Sequence, residues 1–201
     1  MVNADRPRGL TPVRHLNGSA WNGAMNVYWH SSTDTTAIFK GDLVSTKQVM
    51  GGAGTGGPFP QVVSGATELQ PFLGVAWGFG NTPSVAGIHN NLNSPNYAAA
   101  STTCYVFVID DPFVIYECQD SSLFASTNIG SNFNATGWGS GSTTTGRSAV
   151  ELITTEVANG ATGGLRLIRL VPRADNELLV NADWEVLINA HTYKAEVAKT
   201  T

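Results

Sequence analysis

The chain has 201 residues, 42% of them hydrophobic, 13% charged, and a net charge of −4. That length suits one all-β domain with a substantial core, while the charged share is about half of the roughly 25% found in soluble domains. A net negative charge argues against a general nucleic-acid binder, whose electrostatic footprint is basic.

Residues 1–22 read as an extended N-terminal arm ahead of a single β domain over 23–201. Pro7 and Pro12 block helix, Gly9 and Gly18 loosen the chain, and apolar residues are sparse. The arm carries Arg6, Arg8 and Arg14, three of the 11 basic residues. Such a segment either frays or crosses onto a neighbouring subunit and pairs its arginines with carboxylates there. It contains no apolar core of a secretory signal, and no apolar run in the chain approaches the ~20 residues that span a bilayer. The expectation is a protein made in the cytosol.

Strand signals begin at 26–30 (NVYWH) and continue at 35–39, 43–50 and 61–63. Residues 51–60, GGAGTGGPFP, form a flexible loop. Gly52, Gly54 and Gly57 there match a dinucleotide fingerprint, but Pro58 and Pro60 forbid the helix it needs. A strand follows at 72–79, with Gly74 and Gly78 marking bends or bulges. Residues 81–97 are rich in asparagine and form loop.

The centre of the chain is 100–119, ASTTCYVFVIDDPFVIYECQ. Runs 105–109 and 113–116 are apolar on both alternate faces, so both must be covered on both sides. Asp110-Asp111-Pro112 between them is turn chemistry, and adjacent carboxylates on a turn point apart. Cys104 and Cys118 fit a reducing compartment and read as buried thiols without a disulfide. Only a register symmetric about Asp111 would set them opposite one another in a hairpin, and Pro112 disfavours it.

Residues 121–146 are polar and glycine-rich, and late strands follow at 149–157, 165–171 and 184–191. Thr154, Thr155 and Val157 favour strand over helix in the first of these. About ten short strands separated by turns predict an antiparallel β-sandwich or barrel.

Candidate chemistry is thin. Residues 141–148, GSTTTGRS, match a phosphate loop except for Arg147 in place of lysine, yet neither a preceding strand nor a following helix is present. His15, His30, His89 and His191 are scattered without metal-ligand spacing. No nucleophile elbow is present. Trp29, Trp77 and Trp184 fall in strands and read as core, leaving Trp138, in a glycine-rich loop, as the aromatic expected to be exposed for contact. The reading is non-enzymatic, with no cofactor and no metal.

Several stretches taken together resemble a known group: 3–18 (NADRPRGLTPVRHLNG), 72–79, 103–117 (TCYVFVIDDPFVIYE), 143–152 (TTTGRSAVEL), 167–177 (LIRLVPRADNE) and 184–193 (WEVLINAHTY). They are similar to tailed-bacteriophage virion proteins associated with the major capsid protein, described as head decoration or cement proteins. The resemblance implies a β-rich protein, oligomeric as a dimer or trimer, bound outside an icosahedral head assembled in the bacterial cytoplasm. It carries over no site residue. The residues themselves suggest Arg6, Arg8, Arg14 and Trp138 as capsid contacts, with deletion of 1–16 expected to leave a folded protein that no longer binds. A carbohydrate-binding β module of a head fibre, using Trp138, is the competing expectation.

Overall fold

The computed structural model describes residues 2–50, 57–65, 71–83, 93–156 and 164–194. Eleven strands lie within these residues: β1 (Thr11–His15), β2 (Asn26–His30), β3 (Leu43–Met50), β4 (Pro60–Ser64), β5 (Gly74–Gly80), β6 (Cys104–Ile109), β7 (Val114–Gln119), β8 (Asn132–Thr136), β9 (Glu151–Glu156), β10 (Leu165–Leu170) and β11 (Asp183–Ile188). The all-β expectation holds. One short 3-10 turn at Ser126–Asn128 is the only helical element among the described residues. None of their helices is long and apolar enough to cross a membrane.

The strands divide into two units. β1-β7-β11-β10-β8-β9 form a six-stranded antiparallel sheet, and β2-β4-β3-β5-β6 close into a barrel. Barrel pairs are antiparallel except for β2 with β4, a parallel contact through Trp29 and Gln61 that completes the ring. Closure leaves the barrel without exposed edges.

The central apolar pair is where the two units join. β6 lies between β2 and β5 in the barrel, and β7 between β1 and β11 in the sheet. Asp110-Asp111-Pro112 is thus a corner between units and not the tip of a hairpin. Both strands are covered on both faces, as their sequences require, but by different neighbours. Cys104 and Cys118 consequently sit in separate units as buried free thiols.

Alternation along the barrel strands builds two connected cores. Tyr28, Val44, Val62, Ala76, Phe79, Val106 and Val108 supply one cluster, with a contribution from every barrel strand. Their neighbours Leu43, Val75 and Ile109 join the other cluster, together with Tyr116, Cys118, Trp184, Val186, Leu165 and Leu167 of the sheet. The barrel wall and the inner sheet face therefore share one core. The expected bulge in β5 occurs between Ala76 and Gly78. Gly74 allows close approach of backbones, since a Cβ there would stand 2.1 Å from the Ile109 carbonyl oxygen.

Two strands escape a sequence reading. β8 lies in the polar 121–146 stretch, and β1 lies in the supposed arm. Conversely, residues 35–39 form only an isolated bridge from Ile38 to Ala98. The arm is in fact an edge strand: β1 pairs with β7 from Thr11 opposite Glu117 to His15 opposite Val114. Leu10 is fully buried in the shared core. Its amide donates to the Gly41 carbonyl at 2.9 Å where the segment crosses the barrel. Gly9 and Gly41 meet there, both at positive φ, with no room for a Cβ on either.

Candidate functional site

The outer face of the sheet holds the largest group of charged side chains described. In β7 and β11 the residues Val114, Tyr116, Cys118, Trp184, Val186 and Ile188 point into the core. By the same alternation Ile115, Glu117, Gln119, Asp183, Glu185 and Leu187 point outward. Asp183 pairs with Gln119, and Glu185 stands directly opposite Glu117. Two glutamates opposed on one face repel unless neutralised.

Arginines supply the neutralisation. Arg8 contacts Glu117 at 3.2 Å and Asp183 at 3.0 Å. Arg14 reaches Glu185 at 2.6 Å, and Arg169 reaches its other oxygen at 2.7 Å. Arg173 contacts Glu117 at 3.4 Å and also pairs with Asp183. Burial alone would raise the Glu185 carboxyl, but hydrogen bonds and charge from Arg169 and Arg14 outweigh it and hold the group below its ordinary value.

Arg8 and Arg14 therefore do not reach out toward a neighbour. They are spent on carboxylates of their own sheet, because β7 and β11 present those carboxylates in pairs that need counter-charges. Sequence reading missed Glu117, Asp183 and Glu185. The available signal was acidic residues in otherwise apolar strands, Glu117 in β7 and the alternating Asp183 and Glu185 in β11.

Neutral polar side chains tie the rest of the segment down. The Arg6 amide donates to Gln119 Oε1 at 2.7 Å, while Gln119 Nε2 donates to the Ala4 carbonyl at 2.9 Å and the Asn181 carbonyl at 3.0 Å. Asn3 is buried and bridges the β10–β11 loop. Its Nδ2 donates to the carbonyls of Glu177 at 2.9 Å and Val180 at 3.2 Å, and its Oδ1 accepts from the Glu177 amide at 3.0 Å. Residues 2–15 are a clasp across the sheet.

Beside this clasp opens a cavity of about 380 Å³, lined by Asn3, Arg6, Arg8, Gln119, Arg173 and Asp183 among others. Arg6 is exposed, and among the described residues its guanidinium makes no ion pair. The lining is polar, but next to Asn3 and Asn181 in the chain stand exposed aliphatic residues: Val2 is 89% exposed, and Leu178, Leu179 and Val180 are each more than 40% exposed. Asn3 holds the two parts of this rim together through its bonds to the 177–180 backbone.

Trp138 is not the exposed contact expected of it. Its ring stacks on Phe72 with centroids 5.6 Å apart and planes within 20°, and its Nε1 donates to the Ala135 carbonyl at 2.9 Å. It packs against the main core, as do Trp21 and Trp77. Trp29 and Trp184 are buried as expected. Trp184 Nε1 donates to buried Asp120 at 2.7 Å.

The phosphate-loop lookalike is a closed turn. Gly141 bridges Ser148, Ser142 N donates to the Arg147 carbonyl at 2.9 Å, and strand β9 follows instead of a helix. Ser148 serves a structural carboxylate: its hydroxyl donates at 2.5 Å to Asp42, which also accepts the Phe39 amide at 2.7 Å. Burial without a counter-charge pushes the Asp42 carboxyl up to about 7. Gly52, Gly54 and His89 lie outside the described residues.

Asp111 acts as a turn former, its Oδ1 accepting the Phe113 amide at 2.8 Å, and its other oxygen lies 3.1 Å from His15 Nδ1. Asp110 does more than turn the chain. It accepts from Asn26 Nδ2 at 2.9 Å and from the Tyr28 hydroxyl at 2.7 Å, fixing β2 to the corner. His30 Nδ1 lies 2.9 Å from the Thr102 carbonyl, and His191 Nδ1 accepts the Tyr193 amide at 3.1 Å. Among the described residues no group of three or more His, Cys, Asp or Glu is placed to hold a metal ion.

Comparison with protein-family models, with curated proteins and with solved structures finds no match to this chain.

Proposed function

We propose that this protein is a structural component of a bacteriophage virion that binds the outer surface of the capsid and stabilises contacts between capsomers. The observation that carries the reading is the division of labour among its charges. Six ion-pair contacts to Glu117, Asp183 and Glu185 are internal, made by Arg8, Arg14, Arg169 and Arg173. They weld the N-terminal segment to the sheet, and the sheet shares its core with a closed barrel. What such a body offers a partner is shape, neutral polar loops and scattered aliphatic side chains, in a chain with 13% charged residues.

A stiff body of this kind strengthens a shell by being gripped on more than one side. Each contact alone can be weak; several made together give large avidity, because separating the capsomers means breaking them all. The partner in this reading is the major capsid protein, and the protein sits on the head exterior as a dimer or trimer. The role is mechanical and calls for no catalytic group or cofactor.

The sugar-binding alternative is left with at most one face of a partly buried Trp138, since Phe72 stacks on the other. Co-sedimentation of the purified protein with empty phage heads tests the proposal. Saturable binding, with heads then surviving heat that bursts bare ones, is the expected result. Binding to a glycan array with no affinity for heads would replace this function with the sugar-binding one.

A further inference from the structure

We infer that the cavity beside the N-terminal clasp is the docking site for an acidic side chain of the partner, flanked by aliphatic neighbours, with Arg6 as its ion-pair donor. This rests on the capsid-binding function proposed above and identifies the surface that performs it.

The argument starts from which charges are already committed. Of the guanidiniums lining the cavity, Arg8 contacts Glu117 and Asp183, and Arg173 contacts Glu117, Asp175 and Asp183. Asn3 and Gln119 spend their side-chain groups on backbone of residues 4, 6, 177, 180 and 181. Arg6 alone among the lining cations has no carboxylate partner within the described residues. Its backbone is nevertheless fixed, because its amide is bonded to buried Gln119 at 2.7 Å. A guanidinium on an anchored backbone, with five donors and no partner, is matched to a carboxylate.

The surroundings narrow the partner further. The rim formed by Val2, Leu178, Leu179 and Val180 is exposed and aliphatic, and it borders the cavity through Asn3 and Asn181. Exposed apolar groups clustered beside one uncompensated charge are the composition of an interface centre with a charged anchor. A free anion such as phosphate would use Arg6 but leave the rim idle. A lipid surface would meet a chain of net charge −4 through a cavity that has Asp175 and Asp183 in its lining beside its three arginines.

The test uses the full-length protein and heads of the phage that encodes it, assembled without it. Three variants are compared with wild type by co-sedimentation: Arg6→Glu, Leu179→Asp and, as a control on an exposed apolar residue outside the cavity lining, Leu123→Asp. All three positions are exposed, and unchanged circular dichroism and melting show that each variant is folded. Arg6→Glu and Leu179→Asp should each weaken head binding tenfold or more, and Leu123→Asp less than twofold. Arg6→Lys should retain most binding. If wild type binds heads and both site variants bind equally well, the docking site is elsewhere and this inference is overturned while the capsid function stands. If wild type ignores heads, the proposed function itself falls. Self-association of wild type that Leu179→Asp abolishes, with head binding intact, would assign the rim to contacts between copies of this chain and overturn the inference.

Discussion

Glu117 and Glu185 face each other across the β7–β11 ladder, and each carboxylate is bracketed by two arginines: Arg8 and Arg173 on the first, Arg14 and Arg169 on the second. This arrangement ties three separate parts of the chain together. Arg8 and Arg14 come from the N-terminal segment, the glutamates from the middle of the sheet, and Arg169 and Arg173 from β10 and the loop after it.

Removing one bracket should expose the repulsion it masks. Arg14→Met leaves Glu185, whose side chain is 4% exposed, with Arg169 as its one remaining partner. We expect a loss of about 1–3 kcal/mol in urea unfolding. The double variant Arg14→Met/Glu185→Gln should recover part of that loss. Because Glu185 titrates below its ordinary value of 4.5, its contribution is complete above that pH and fades as the pH falls through its folded value.

Deleting residues 2–16 should destroy the fold and not merely a docking arm. The deletion removes an edge strand, buried Leu10, buried Asn3 and two of the four arginines over the glutamates. Loss of Leu10 alone is worth roughly 2–5 kcal/mol by analogy with core leucine truncations. Circular dichroism of the truncated chain should show an unfolded or aggregated protein. A cooperative melt close to that of wild type would return the segment to the status of a loose arm.

Asp42 should tilt the pH dependence in the opposite sense to Glu185. Folded, it titrates at about 7, against an ordinary 3.8. Between those values the folded chain holds a proton that the unfolded chain has lost, so its contribution to stability declines as pH rises from about 4 to about 7 and is flat beyond. Asp42→Asn removes this slope. The difference in unfolding free energy between wild type and Asp42→Asn, followed from pH 4 to 8, should therefore change steadily and then level off. A difference constant across that range would contradict the account of Asp42.

The thiols should be inert in the folded protein. Burial raises the Cys104 thiol to about 12 and raises Cys118 as well, so thiolate is scarce at neutral pH. Reaction with a thiol-specific reagent should wait for unfolding, and melting should be the same with and without reductant. A melting point lowered by reductant would indicate a disulfide.

The fold class was legible because it depends on local pattern. Strands 26–30, 43–50, 105–109 and 184–188 carry β-branched and aromatic residues in runs long enough to exclude other readings. The corner at Asp110-Asp111-Pro112 was not, since turn residues look the same whether the next strand folds back or moves to another sheet. β1 was hidden because its stability comes from partners more than a hundred residues away: Glu117 opposite Thr11, and Glu185 under Arg14. Of the four contact residues suggested by sequence, Arg8 and Arg14 proved to be internal counter-charges and Trp138 a core-packed ring. Arg6 alone stayed exposed, and nothing in the three arginines' spacing separates it from the other two. That distinction arises from which of them the fold sets beside the carboxylates of Glu117, Asp183 and Glu185.

The capsid reading is tested most directly by a cryo-EM map of the virion at a resolution that separates strands. The account predicts a sheet-and-barrel density on the outside of the head, in contact with two or more capsid subunits, with the Val2 and Leu178 rim turned toward the shell. Density of this shape found only on a tail or fibre, or missing from the particle, would contradict it.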